Sequence, residues 1–214
     1  MTIADFVLYG GLWLTFGAGH SLLASNRSKA IFDGISRGRY RLAYNVAATL
    51  HLVLVWGLGK YWLAEQSETF DRPEWLVISQ HATIGVGAFV LLFSLRRYDL
   101  RRFAGIDTSR YHLSTTANSP EPLQTTNIHA FVLHPLYLGL FCVLWGAATD
   151  EFSFATAVFA SMYILAGTWF EERRLVVLYG EAYLTYKKRV PAFLPSIRHI
   201  ILRSVRGHQA GEER

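Results

Sequence analysis

Residues 130–172 read AFVLHPLYLGLFCVLWGAATDEFSFATAVFASMYILAGTWFEE, two apolar runs separated by the short polar stretch TDEFS at 149–153. Each run is long enough to cross a hydrocarbon layer of about 30 Å at about 1.5 Å of helical rise per residue. Because so few residues join them, the runs must pair as an antiparallel helical hairpin. The hairpin therefore brings His134, near the start of the first run, to the same membrane face as Glu171 and Glu172.

Three further runs of the same kind precede this hairpin. The spans predicted from the sequence are Phe6–Leu23, Leu42–Trp62, Leu76–Leu95, Ala130–Ala148 and Phe152–Phe170. A soluble domain has no need of five such runs. The sequence therefore predicts an all-α fold, a polytopic membrane helix bundle with five transmembrane helices. The first run lacks the basic segment that opens a signal peptide, so we expect it to be a retained span.

The net charge of +5 is distributed in a way that indicates membrane topology. The connections 25–41 and 96–128 are basic, whereas 60–75 and 149–153 are acidic. Because basic loops remain on the cytoplasmic side, this alternation predicts an N-terminus outside and a cytoplasmic C-terminus. The expected partner of the basic residues is the lipid bilayer with its anionic headgroups, and no nucleic acid is expected.

The apolar pattern continues beyond the last span as a helical face that includes Tyr183 and Tyr186, next to the basic triplet KKR at 187–189. A helix with this character lies in the plane of the membrane interface. We therefore predict a C-terminal amphipathic interfacial helix. It folds over the end of the hairpin that carries His134, Glu171 and Glu172, which we call the mouth of the hairpin. A single transmembrane domain, 1–198, accounts for the spans, and 199–214 form a basic polar tail.

The His-Pro pair at the start of the fourth run is the most informative local feature. A proline at the first helical position loses no hydrogen bond, and Pro135 disfavours helical geometry at His134. The imidazole can then lie at the mouth of the hairpin. Tyr137 adds a hydroxyl nearby, and Gly139 permits something to approach closely. The simpler alternative is a helix entry with an interfacial histidine and tyrosine.

The two adjacent carboxylates face the same mouth. Glu171 and Glu172 follow a fully apolar span, and a cationic ligand would be held well by such a pair. The alternative is that they are solvated, or paired with Arg173 or Arg174.

Other histidines and the single cysteine give weaker signals. His20, in GAGHSLLAS at 17–25, is either catalytic or a hydrogen-bonded structural residue; His51 and His81 are similar. Histidines in a bundle can bind haem or a metal, but their spacing here is not diagnostic, so no metal site is predicted. The lone Cys142 excludes an internal disulfide and a cysteine-rich metal site.

HPLYLG at 134–139, followed by EERRLVVLYGEAYLTYKKRVPAFLP at 171–195, resembles the C-terminal signature of the isoprenylcysteine carboxyl methyltransferase and phospholipid methyltransferase superfamily. Further segments are similar to the branch of membrane methanethiol S-methyltransferases: GHSLLAS at 19–25, YRLAYN at 40–45, RRYDLRRFAG at 96–105 and YILAGTWFEERRLV at 163–176. The resemblance covers most of residues 19–195.

The resemblance implies a five-span methyltransferase that uses S-adenosylmethionine. In this family the cytoplasmic mouth of the hairpin and the helix that follows enclose the cofactor. The residues that it assigns to cofactor binding are His134, Pro135, Tyr137, Gly139, Glu171, Glu172, Tyr183 and Tyr186. His134, Glu171 and His20 are the candidate catalytic residues. Leu133 stands where the superfamily has an arginine, and His129 is a candidate substitute in cofactor binding.

The methyl acceptor stays open among three hypotheses. The first is a small or lipophilic thiol, which needs a base because a free thiol has a pKa of about 8.5; His134, His129 or His20 could serve. The second keeps the cofactor and methylates a prenylcysteine-like carboxylate or a lipid amine. The third follows from the GHS histidine and the long spans, which also resemble NnrU-type membrane proteins and a related carotenoid isomerase, where haem would replace the methyl donor.

Overall fold

The computed structural model describes residues 1–36, 39–96, 100–106 and 122–194. The helices are α1 (Ile3–Ala24), α2 (Asn26–Ser36), α3 (Tyr40–Leu63), α4 (Glu74–Leu95), α5 (Leu100–Ala104), α6 (Pro135–Gly146), α7 (Glu151–Tyr179) and α8 (Glu181–Arg189), with 3-10 turns at Ala64–Gln66 and Asn127–Ala130. Within the described residues the β-structure is one isolated bridge, between Thr69 and Asp150. The all-α prediction is confirmed. Most of the polar connection after α4 and the tail 199–214 lie outside the described residues.

Four helices, α1, α3, α4 and α7, are long and apolar enough to cross a membrane. Their outer faces expose large apolar side chains such as Leu14, Phe89 and Met162. Contiguous exposed apolar surface on this scale is a liability in water but is what a lipid environment requires. The protein is an integral membrane protein.

The fourth predicted span, Ala130–Ala148, differs from the observed structure. Its helix, α6, contains 12 residues and rises about 18 Å, which is less than the thickness of the hydrocarbon layer. Residue 134 has φ −121° and ψ 69°, outside the helical region, and Pro135 occupies the first turn of α6. Within the apolar run Ala130–Ala148 this helix therefore covers only Pro135–Gly146. The expected departure of His134 from helical geometry is confirmed, because the residue before a proline avoids that geometry.

The fifth predicted span, Phe152–Phe170, lies within the longer helix α7. The helical pattern continues, as expected, through Glu171 and Glu172 to Tyr179. Gly180 then adopts φ +55°, a conformation in which glycine carries no steric penalty. This residue lets the chain change direction between α7 and α8, so that α8 packs back against α7.

The centre of the bundle is formed by α1, α3 and α7. Tyr9, Phe16, Val55 and Ala155 are buried together there. A Cβ atom added at Gly59 would lie 2.3 Å from a ring carbon of Tyr9. Gly59 of α3 thus permits the close packing against α1 that is expected of helices in lipid, where van der Waals packing is a main source of stability.

The helix α6 packs along α4 through a pair of glycines. A Cβ atom added at Gly87 would lie 2.8 Å from the Cβ of Cys142 and 2.8 Å from the carbonyl oxygen of Gly139. The contact therefore requires glycine on α4, and Cys142 serves as a small packing residue here.

We expect Gly87→Ala to destabilise the protein by about 1–3 kcal/mol, because the added methyl group overpacks this contact. Gly85, on the same helix, has no atom within 4 Å of an added Cβ, and Gly85→Ala is the matched control. Thermal unfolding in detergent micelles measures both. Equal shifts in the two variants would show that α4 and α6 do not pack as described.

Candidate active site

The hairpin brings His134 together with both glutamates of α7. The imidazole Nε2 lies 3.3 Å from Oε1 of Glu172, and Nδ1 lies 3.9 Å from Oε2 of Glu171. The His134 side chain is only 5% exposed. The predicted meeting of an imidazole and two carboxylates at one mouth of the hairpin is confirmed.

The two carboxylates have different surroundings. Glu172 is 15% exposed and uses both oxygens: Oε1 faces His134, and Oε2 forms an ion pair with the Lys187 ammonium group. Glu171 is 43% exposed, and its Oε2 accepts a hydrogen bond of 2.8 Å from the Tyr137 hydroxyl. Glu172 is therefore held within the protein, whereas Glu171 presents a carboxylate to the open side of the mouth.

Two aromatic rings cover the imidazole. The Tyr137 ring stacks on the His134 ring with centroids 5.5 Å apart, and the Phe193 ring lies at 5.8 Å in a tilted arrangement. Phe193 also makes an edge contact of 5.2 Å with Phe141 of α6. These two rings shield the His134 imidazole from water and form an aromatic wall beside it.

The segment after α8 returns to the His-Pro pair. The Leu133 N–H donates to the carbonyl of Pro191 at 2.9 Å, and the His134 N–H donates to the carbonyl of Ala192 at 3.1 Å. This pairing satisfies two backbone groups that the non-helical entry to α6 would otherwise leave without partners. It also fixes the backbone that carries the imidazole.

Tyr183 of α8 is 1% exposed, and its hydroxyl has no hydrogen-bond partner among the described residues. Burial, together with the negative charges of Glu172 and Glu171, raises the pKa of this phenol. The group therefore stays protonated and is a buried donor close to the two carboxylates.

The hydroxyl of Tyr186 donates to the backbone carbonyl of His129. The Nδ1 of His129 in turn lies 3.3 Å from the Leu133 carbonyl. Burial lowers the pKa of the His129 imidazole, although the bond to that carbonyl opposes the shift. These contacts tie α8 to the turn before α6.

Two other predicted site residues lie at packing positions. Pro135 is buried at the first turn of α6. The close approach that Gly139 permits is that of α4, since an added Cβ would lie 2.7 Å from Leu91 and 3.0 Å from the carbonyl of Gly87. The structure therefore explains Gly139 by helix packing.

His20 lies elsewhere in the bundle. Its Nε2 is 2.6 Å from the Tyr44 hydroxyl, and its ring is 5.7 Å from that of Tyr163. Tyr163 precedes Glu171 by eight residues of α7, about 12 Å of helical rise. No contact within the described part of the chain joins His20 to the His134 mouth, so the structure does not bring this candidate to the others.

Two other histidines in the described part of the chain, His51 and His81, also have partners. His51 Nε2 lies 3.3 Å from the Thr15 hydroxyl, and His81 Nδ1 lies 2.8 Å from the Val77 carbonyl. In the described ranges, no group of three or more His, Cys, Asp or Glu residues is arranged to hold a metal ion.

A cleft of about 440 Å³ lies at the other end of the bundle, between α3, α6 and α7. Lys60, Asp150 and Thr156 are among its lining residues, and none of the residues around His134 is. The polar groups of the mouth and this cleft are therefore separate features of the protein.

The chain is similar to methyltransferases of known name. No protein-family model matches it, but the methanethiol S-methyltransferase of Crocosphaera subtropica is 30% identical over 197 residues, which cover 87% of the chain and 73% of that relative. The chain belongs to the methanethiol S-methyltransferase family. It is therefore a methyltransferase, within the superfamily that also includes the isoprenylcysteine enzymes.

Other relatives support this membership. Methanethiol S-methyltransferase 1 of Bradyrhizobium diazoefficiens is 28% identical over 199 residues, which cover 88% of the chain and 66% of the relative. The human protein-S-isoprenylcysteine O-methyltransferase is 28% identical over 147 residues, or 65% of the chain and 50% of that protein. No solved structure matches the chain. Membership favours methyl transfer over the haem hypothesis.

Sequence reasoning missed three contributors to the mouth: Lys187, Phe193 and the backbone of 191–192. They lie in the segment 171–195 that carries the family resemblance. The basic triplet at 187–189 indicates an interfacial helix, but nothing in its composition indicates that one of its two lysines reaches the partly buried Glu172.

Proposed function

We propose that this methyltransferase uses S-adenosylmethionine to methylate the sulfur of a small or lipophilic thiol at the cytoplasmic interface. The arrangement that carries the proposal is the placement of His134 between Glu171 and Glu172 at one mouth of a membrane hairpin. The names of the bacterial relatives support the choice of a thiol.

The residues of the mouth fit such a cofactor. The sulfonium and ammonium groups of S-adenosylmethionine are cations, which the partly open carboxylate of Glu171 and the face of Tyr137 can hold. The buried hydroxyl of Tyr183 lacks a partner among the described residues, and an unsatisfied group of this kind destabilises a protein by about 1–3 kcal/mol. An acceptor atom on a bound ligand would relieve that penalty.

We propose that His134 is the general base. Glu172 accepts the Nε2–H, which selects the tautomer with a free lone pair on Nδ1, on the side of Glu171. The thiol proton moves to Nδ1 and leaves to the cytosol through Glu171, the more exposed carboxylate. When bound, S-adenosylmethionine would supply an electrophilic methyl carbon; the bond from that carbon to the sulfonium sulfur would break as the bond to the thiolate sulfur forms, giving a thioether with S-adenosylhomocysteine as the leaving group.

A second candidate function is methylation of a prenylcysteine-like carboxylate or a lipid amine. The similarity to the human isoprenylcysteine enzyme favours it. A carboxylate acceptor is already a nucleophile at neutral pH, so the base at His134 would then have no proton to remove.

The proposal includes a topology. We propose that α6, with the non-helical residues before it, completes a fifth crossing, that the N-terminus is outside, and that the C-terminus is cytoplasmic. α8 would lie at the interface, with the basic residues of its last turn, 187–189, near lipid headgroups. The domain would extend over 1–198, with 199–214 as a tail.

Membranes that contain the protein, incubated with methyl-labelled S-adenosylmethionine and a panel of acceptors, test the proposal. The panel holds short-chain thiols, a prenylcysteine carboxylate and a lipid amine. We expect the label in a thioether. Label in a methyl ester or a methylamine would instead support the second function, and no labelled product from a folded protein would contradict both.

A further inference from the structure

The fold places the ammonium group of Lys187 beside the carboxylate of Glu172. It lies in the last turn of α8, 15 residues after its partner Glu172, and it returns there because Gly180 reverses the chain between the two helices. Its side chain is 45% exposed. The ammonium group therefore lies at the rim of the mouth and remains open to a ligand from the cytosol.

The mouth thus presents charges in a defined order. Glu171 offers a negative charge to the open side, His134 follows, Glu172 is more deeply placed, and Lys187 ends the row with a positive charge. An α-amino acid group carries a positively charged ammonium and a negatively charged carboxylate on the same carbon atom. Such a group needs an anion and a cation in the site, and this row provides both.

Two other basic groups of this region, Arg173 and His129, have partners of their own. The guanidinium of Arg173 stacks on the Trp169 ring at 3.5 Å. His129, the candidate substitute for the arginine that Leu133 replaces, is held by the Leu133 carbonyl, and its burial favours the neutral imidazole. The ion pair with Glu172 does not occupy Lys187 fully, because a lysine ammonium has three N–H donors.

We propose that Lys187 binds the α-carboxylate of S-adenosylmethionine, while Glu171 receives its ammonium group; this inference rests on the function proposed above. The carboxylate accepts hydrogen bonds from the N–H groups of Lys187 that do not face Glu172. Lys187 therefore supplies the positive charge that the chain lacks at Leu133.

Binding of two ligands by purified protein in nanodiscs tests the role of Lys187. One ligand is S-adenosylhomocysteine, and the other is its analogue without the α-carboxylate. We expect Lys187→Met to weaken S-adenosylhomocysteine binding by about 10- to 100-fold, the range for a charge-assisted hydrogen bond, and to change binding of the analogue by less than about threefold. Lys187→Arg should retain most of the affinity for both ligands.

The matched control is Lys188→Met, which removes the same charge from the next position and should leave both affinities unchanged. If Lys187→Met does not fold, Lys187→Gln replaces it, with the same expectation. Equal weakening of both ligands, or of neither, would overturn the assignment of Lys187. Wild-type protein that binds neither ligand would instead contradict the proposed use of S-adenosylmethionine.

Discussion

Glu171→Gln is expected to reduce methyl transfer by about 100-fold or more, since the variant loses the carboxylate that holds a cationic group of the cofactor and receives the thiol proton. Glutamine keeps the shape of the side chain and can still accept the Tyr137 hydroxyl bond, which is 2.8 Å in the wild type. The variant therefore removes the open negative charge and little else. The stabilisation of the protein by S-adenosylhomocysteine should fall in parallel, because binding to the folded state raises the unfolding temperature.

Methyl transfer and ligand-dependent thermal shifts, measured on the same preparation, test this prediction. Glu181→Gln, an exposed position in the first turn of α8, is the matched control and should resemble the wild type. Glu172→Gln should also weaken ligand binding, and it should destabilise the ligand-free protein, because Lys187 and His134 lose a charged partner. Wild-type binding of S-adenosylhomocysteine by both Glu171→Gln and Glu172→Gln would show that these carboxylates do not bind the ligand.

His134→Ala is expected to lower turnover by about 10²- to 10⁴-fold, the usual contribution of a positioned acid or base. The amount of folded protein should fall much less, because α6 begins at Pro135 and keeps its packing on α4. His81→Ala, which removes an exposed histidine on α4, controls for the loss of an imidazole.

Initial rates with a thiol acceptor, normalised to folded protein, measure the effect of His134→Ala. Added imidazole should restore part of the rate in His134→Ala, since the missing group is a base, and should not change the His81→Ala rate. A wild-type rate in His134→Ala would exclude the imidazole from the reaction.

The meeting of His134 with Glu171 and Glu172 was predictable because it depends on chain length alone. Because only residues 149–153 join the two apolar runs, the second run must end at the membrane face where the first run begins. The entry to α6 was predictable only in part. Pro135 indicates a non-helical His134, but residues 130–133 are apolar, and hydropathy cannot separate a buried irregular segment from a buried helix. The sequence does not indicate that the N–H groups of Leu133 and His134 bond to the backbone of 191–192.

The ion pair of Lys187 depends on geometry that the sequence does not encode locally. It requires both the positive φ of Gly180 and the packing of α8 on α7. Family resemblance selected Gly139 and His20 as well, although the contacts that the structure gives them are with α4 for Gly139 and with Tyr44 for His20. A motif match identifies candidate positions, but the contacts in the folded protein indicate whether a residue lines the site or packs against another helix.

Photochemical cross-linking of methyl-labelled S-adenosylmethionine, followed by peptide mapping, tests most directly whether the His134 mouth holds the cofactor. We expect the label in peptides that contain 129–141 or 168–193, and we expect Glu171→Gln to remove it. Label confined to the peptides of the opposite cleft, 56–69 and 143–156, would contradict the central claim.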